Sequence, residues 1–324
     1  MSHPYDNLTP DAVIDAVESV GLLSDLRLIA LNSFENRVYQ VGIEDAQPII
    51  AKFYRPNRWS DDQILEEHAF AQELADAELS VVAPLSINGN TLHHTRHFRM
   101  ALFPRRGGFP PELDNLDNLL HLGRTLGRLH RVGASKTFRF REHLDIDERL
   151  TANRLYLTEH WIPRDLRPAW DTLTADLDVA VRAALEDYNE SDQIRLHGDC
   201  HAGNILWRDE IAHIVDLDDC INGPAIQDLW MCLSGERHHR ELQLAELIAG
   251  YEDFMDFDPR QLRWIEALRT TRMIRHSAWI AKRWDDPAFP KAFPWFEQPR
   301  YWSDQILALR EQLAALQEPP LRLL

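Results

Sequence analysis

The stretch Leu196-His197-Gly198-Asp199-Cys200-His201-Ala202-Gly203-Asn204, followed by Ile205-Leu206-Trp207 and His213-Ile214-Val215-Asp216, constrains this chain more than any other. Short apolar runs of β character flank a loop rich in Gly, Asp and Asn, so the segment reads as strand, loop, strand and turn. Gly198 and Gly203 free the backbone on either side of the loop's polar centre. A unit of this kind aims the oxygens of Asp199, Asn204 and Asp216 into one cleft. The same residues could serve as turn formers and a strand-end cap. An Asp-x4-Asn pair followed by an apolar strand ending in Asp is, however, rare by chance.

Three oxygen-bearing side chains in this order suit phosphoryl transfer. That reaction asks for a carboxylate to orient the attacking hydroxyl and for cation ligands that neutralise the phosphates. A hard cation such as Mg²⁺ takes carboxylate and amide oxygens. Asp199 is therefore expected as catalytic base, and Asn204 and Asp216 as metal ligands, with Asp216 counted beside Asp199 as catalytic. His197 is expected to orient the loop by hydrogen bonding rather than titrate. A zinc hydrolase is the rival reading, because His197 and His201 stand four residues apart. The flanking glycines disfavour a helix there, and no Glu lies between the two histidines to act as base.

The first hundred residues read as strands interrupted by helices. Thr9 caps a helix over 11–20, with Pro10 at its first position. Strands are expected at 26–31, 37–41 and 49–54, and Ser60 opens a helix on which Ile64, Glu67, Ala71 and Leu74 recur at helical spacing. Two further strands, at 83–87 and 98–103, flank the Asn88-Gly89-Asn90 turn. The Gly-, Pro- and Arg-rich segment 104–111 divides a small N-terminal lobe, 1–104, from a mainly helical C-terminal lobe, 105–324. Helices are expected at 116–130, ended by Gly133, and at 166–188, 242–255, 259–284 and 302–316. Residues 285–295 should form an irregular, Pro-pinned loop. The tryptophans Trp264, Trp279, Trp284, Trp295 and Trp302 read as core. His93, His94, His97, His238 and His239 read as surface loop residues, and Arg105 and Arg106 as solvated charges.

A formal net charge of −17 repels nucleic-acid phosphates. No nucleic-acid partner is expected. Three cysteines, Cys200, Cys220 and Cys232, are too few and odd in number for a disulfide framework. Cys200 reads as a small packing residue rather than a nucleophile. No apolar run approaches the roughly 20 residues needed to cross a bilayer. A cytoplasmic protein without a membrane partner is the expectation.

His-Gly-Asp-x-His-x-x-Asn resembles the catalytic loop of the aminoglycoside phosphotransferase/choline kinase family. Longer blocks, at 31–40, 52–56, 62–68, 196–208, 223–231 and 286–291, resemble the RdoA-type group of bacterial Ser/Thr stress response kinases. The resemblance implies an α+β, two-lobed protein-kinase-like fold with a small antiparallel-sheet N-lobe. It implies ATP and Mg²⁺ as cofactors, Asp199 as proton acceptor, and Asn204 and Asp216 as Mg²⁺ ligands. Lys52 matches the lysine that holds the α- and β-phosphates. Its expected partner is Glu67; Glu66 is the alternative, its direction about 100° away on a helix.

The resemblance has departures. No Gly-x-Gly-x-x-Gly is present, so the Ser33 hydroxyl is expected on the phosphates, as in the RdoA-like group. Asp216-Leu217-Asp218 replaces Asp-Phe-Gly, and Asp218 is either a second metal ligand or solvated. Asp228 is expected to accept hydrogen bonds from the catalytic-loop backbone. The implied partners are a protein with a Ser or Thr hydroxyl and the chain itself, through autophosphorylation, in a monomer active in bacterial stress. A small-molecule kinase of aminoglycoside, choline or homoserine type is the alternative. A catalytically dead kinase fold is disfavoured, because Lys52, Asp199, Asn204 and Asp216 are all present.

Overall fold

The computed structural model describes residues 5–323. Helix α1, Pro10–Glu18, starts as expected: the Thr9 side chain accepts from Ala12 N, and Pro10 opens the first turn. Strands β1 (Ser24–Ala30), β2 (Arg37–Ile43) and β3 (Ile49–Phe53) lead into helix α2 (Asp61–Asp76), then β4 (His93–His94) and β5 (Arg99–Pro104). They form one antiparallel sheet of order β1-β2-β3-β5-β4. Alternation along β3 puts Ala51 and Phe53 into an apolar core with Val13 and Val17 of α1. Lys52 lies between them in sequence and therefore faces the other side, where α2 packs. Ser60 and Gln63 form a reciprocal capping box at the start of α2.

One expected strand is absent. Residues 83–87 make no ladder: Leu85 N bonds Leu102 O at 2.7 Å, but Pro84 has no donor to continue the pairing. Just before this segment, Val82 N bonds Ile214 O at 3.0 Å and Ile214 N bonds Ser80 O at 2.8 Å, so the chain is drawn to the other lobe. The turn itself forms, with Asn88 and Gly89 both at positive φ and reciprocal Ile87–Asn90 bonds. His93 and His94, expected in a surface loop, supply the sheet's last strand instead.

The C-terminal lobe begins with α3 (Leu116–Gly133), followed by α4 (Asn153–His160) and α5 (Arg167–Ala184). Short strands β6 (Ile194–Leu196), β7 (Ile205–Arg208), β8 (Ile211–Ile214) and β9 (Ile221–Gly223) carry the polar loop. Then come α6 (Ile226–Leu229), α7 (Arg237–Glu252), α8 (Ile265–Ala281), α9 (Ala288–Ala292) and α10 (Pro299–Gln317). Helices α3 and α7 touch backbone to backbone: a Cβ on Gly123 would lie 2.0 Å from Leu247 O. The α3 helix does stop at Gly133, but not through a left-handed cap. Ala134 is right-handed, and a Cβ on Gly133 would meet Arg195 O at 2.1 Å. The expected helix over 259–284 begins as a 3-10 turn, Pro259–Trp264, before α8. Trp264 and Trp302 are core residues, whereas Trp295 stands exposed against Tyr301.

The segment 285–295 is more ordered than expected. Asp286 accepts from Ala288 N at the start of α9, and Phe289 is fully buried. Asp286 also joins the lobes. Its carboxylate accepts from Arg37 Nη2 at 2.9 Å and from Arg55 Nη2 at 2.7 Å. We expect Asp286→Ala to lower stability by about 3–5 kcal/mol in urea melts, because two mostly buried guanidiniums lose their shared anion. The loss should sit at the low end, since both arginines keep bonds to Phe34 O. Among the described residues, no helix is long and apolar enough to cross a membrane.

Candidate active site

Lys52, its side chain 7% exposed, sits under the sheet with three carboxylates around its ammonium. Asp218 Oδ1 lies at 3.0 Å, Asp216 Oδ1 at 3.2 Å and Glu67 Oε1 at 3.6 Å. Burial works against the ammonium, but Asp218, Glu67 and Asp216 outweigh it and hold its pKa well above the ordinary lysine value. One cation cannot balance three anions. Burial accordingly pushes Glu67 up to about 7, against the pull of Lys52 and with Asp218 adding to the rise. Glu66 points elsewhere: its oxygens accept the backbone N–H groups of Arg139, Phe140 and Arg141 at 2.6–2.8 Å.

Asp218 is not solvated. It is buried, with Lys52 on Oδ1 and Arg58 on Oδ2. Both oxygens therefore face cations. Burial raises its pKa, yet Arg58 and Lys52 bring it to about 2. Arg58 also pairs with Asp219 at 2.9 Å. Nothing in the sequence near Arg58 signals this role, because its partners lie some 160 residues away.

The polar loop is held from below. Gly198 has φ +84°, and a Cβ there would lie 2.2 Å from Asp219 O, so only glycine fits. Asp228, fully buried on the short α6, accepts His197 N and Gly198 N, both at 2.8 Å. This is the expected supporting contact. His197 is buried and donates from Nε2 to Val215 O at 2.9 Å. Asn204 Nδ2 donates to Asp199 O at 2.9 Å, and Asn204 O accepts Val215 N at 3.1 Å. The loop and the end of β8 are thus stitched together, and Asp216 follows directly. Asp216 adopts φ 59°, a conformation Asp tolerates better than most residues, and its side chain is 53% exposed. Hydrogen bonds thus link 199 to 204 and 204 to 215, and Asp216 Oδ1 pairs with Lys52 at 3.2 Å.

Asp199 is 21% exposed, with Arg272 Nη1 against Oδ1 and His201 Nε2 3.4 Å from Oδ2. Burial raises its pKa, but the His201 contact and the Arg272 guanidinium overrule it and hold the carboxyl at about 2. The two histidines of the zinc reading do not converge. His197 faces Val215, while His201 Nδ1 accepts Gly203 N at 2.9 Å. Among the described residues, no three His, Cys, Asp or Glu side chains gather as a metal cage. The donor types suit a hard cation: Asn204 commits its amide nitrogen to Asp199 O, which leaves its side-chain oxygen and the Asp216 carboxylate as oxygen donors. An ion that keeps waters and phosphate oxygens needs few protein ligands.

The sequence pattern that defines the phosphotransferase enzyme family matches residues 26–265. The chain belongs to that family. Stress response kinase A of Escherichia coli O157:H7 is 46% identical over 321 residues, 98% of this chain and 97% of that protein. Serine/threonine protein kinase RdoA of Salmonella typhimurium (strain LT2) is 44% identical over the same shares. An amicoumacin kinase solved with AMP-PNP, Ca²⁺ and Ami aligns with a TM-score of 0.76 at 18% identity, covering 96% of this chain and 94% of that one. That likeness establishes the shared two-lobed, kinase-like fold.

In this phosphotransferase, the turn between β1 and β2 closes on itself. Ser33 Oγ accepts Val38 N at 3.1 Å. The adjoining residues are bolted to the C-terminal lobe. Phe34 packs on Phe289 and Phe293, and Glu35 takes Trp279 Nε1 and Arg283 Nε, each at 2.6 Å. Sequence reasoning did not reach Arg272, on α8, or Arg283, in the turn after it, since both look like surface arginines until the chain folds.

Proposed function

We propose that this kinase transfers the γ-phosphoryl group of ATP to a Ser or Thr hydroxyl of a protein, itself included. The observation that supports the reading is the tie from Asp199 O through Asn204 to Val215, which sets Asp216 against Lys52. The protein acceptor rests on the relatives named Ser/Thr or stress response kinases, which match nearly the full chain. In this reading the lobes divide at 104/105, and the chain acts as a cytoplasmic monomer in stress. Lys52, steadied by Glu67, holds the α- and β-phosphates. Ser33 lines the phosphate side. Asn204 and Asp216 hold Mg²⁺, which neutralises phosphate charge when bound. Asp199 orients the acceptor hydroxyl and takes its proton.

The test is incubation of the purified protein with Mg²⁺ and labelled ATP, alone and with cell extract, followed by mapping of labelled residues. Label on Ser and Thr of the chain and of extract proteins is expected. Label on a metabolite alone would sink the protein-kinase reading and favour a small-molecule kinase, which the amicoumacin kinase neighbour exemplifies. Asp216→Ala should lose Mg²⁺-dependent nucleotide binding in calorimetry; unchanged binding would remove its metal role.

A further inference from the structure

We infer that Arg272 is a catalytic residue that binds the transferring phosphoryl group as charge develops on it. This rests on the phosphotransfer reading above and extends it to a residue outside the catalytic loop. The loop from Asp199 to Asn204 contains no Lys or Arg. Lys52 is enclosed by Asp218, Asp216 and Glu67. Arg58 and Arg275 both pair with Asp219, Arg275 at 3.2 Å. Arg272 differs from these cations in its counter-ion, which is the base itself: Nη1 lies on Asp199 Oδ1 from the wall built by α8.

A guanidinium carries five N–H donors in a fixed plane, and one carboxylate oxygen engages few of them. The Arg272 side chain is 34% exposed, so the guanidinium is not sealed into the protein. In an in-line transfer the accepting hydroxyl must sit against Asp199, and the phosphorus within bonding reach of that hydroxyl. Any cation on Asp199 is then beside the phosphoryl oxygens. Asp199 Oδ2 takes the hydroxyl proton while Oδ1 stays on Arg272. The hydroxyl oxygen forms the new bond to phosphorus, the bond from phosphorus to the bridging oxygen breaks, and ADP leaves with that electron pair. Arg272 forms no covalent bond; its donors meet charge that grows on the equatorial oxygens.

The experiment compares wild type, Arg272→Lys and Arg272→Ala by initial rates, using whichever acceptor the wild type labels, or water if it labels none. Arg272→Ala should lower kcat about 10²–10³-fold, the effect of deleting one preorganised charge donor, with KM for ATP little changed. Millimolar ethylguanidinium should restore part of the lost rate in Arg272→Ala, and none in Asp199→Asn. Arg272→Lys should fall between wild type and Arg272→Ala. A kcat for Arg272→Ala near the wild-type value, a loss confined to KM, or no response to ethylguanidinium in a variant that melts normally would overturn the inference. Wild-type label found only on a metabolite removes the protein-kinase reading and leaves the Arg272 test valid. A wild type that turns over no ATP removes both.

Discussion

We expect Asp199→Asn to lower phosphoryl transfer roughly 10²–10⁴-fold, the usual contribution of a positioned base, while nucleotide binding stays nearly unchanged. The asymmetry follows from how the loop is tied. Asn204 bonds the backbone oxygen of residue 199 rather than its carboxylate, so its amide keeps its orientation when the side chain changes. Asp228 holds the backbone of residues 197 and 198 independently of residue 199. An asparagine there can still accept from Arg272, but it cannot take a proton from a hydroxyl. Rates with saturating ATP and calorimetry with a non-hydrolysable analogue would check this. A loss of nucleotide affinity as large as the loss of rate would contradict the separate roles of Asp199 and the metal pair.

Features set by neighbouring residues were legible before folding. The capping box at Ser60 and Gln63, the positive-φ turn at Asn88 and Gly89, and the 197–204 loop all depend on contacts a few residues long. The sequence favours Glu67 as the partner of Lys52 without excluding Glu66; the 3.6 Å ion pair decides for Glu67. What could not be read depends on distant partners. Asp218 reads as either a second metal ligand or a solvated neighbour of Asp216 until Lys52 and Arg58 arrive from another lobe. Asp286 lies in a stretch that reads as a Pro-pinned loop, yet it caps α9 and binds two arginines some 230–250 residues away. Residues 83–87 have strand-like alternation, but hydrogen bonds from residues 80 and 82 to Ile214 redirect them. No local pattern encodes that competition.

Asp228→Ala should be the most damaging change to stability outside the reacting groups. The carboxylate is fully buried and accepts three donors: His197 N, Gly198 N and His130 Nε2, the last at 3.0 Å. His130 Nδ1 lies 3.0 Å from the Tyr251 hydroxyl. Burial, with Asp228 adding to it, raises the Tyr251 pKa above its ordinary value, so the phenol keeps its proton. The Asp228 carboxylate only accepts, so the hydrogen lies on Nε2, and Nδ1 of a neutral ring accepts from the Tyr251 hydroxyl. Deleting the acceptor strands three donors where water does not reach. Each unsatisfied donor costs about 1–3 kcal/mol. We expect about 3–5 kcal/mol of lost stability for Asp228→Ala by urea unfolding, the low half of three such costs. Asp228→Asn should lose less, because its amide oxygen still serves one backbone N–H while its nitrogen confronts another. Both variants should also slow phosphoryl transfer, since the backbone that aims Asp199 is released. Lost turnover with an unchanged unfolding midpoint would instead place Asp228 in the chemistry itself.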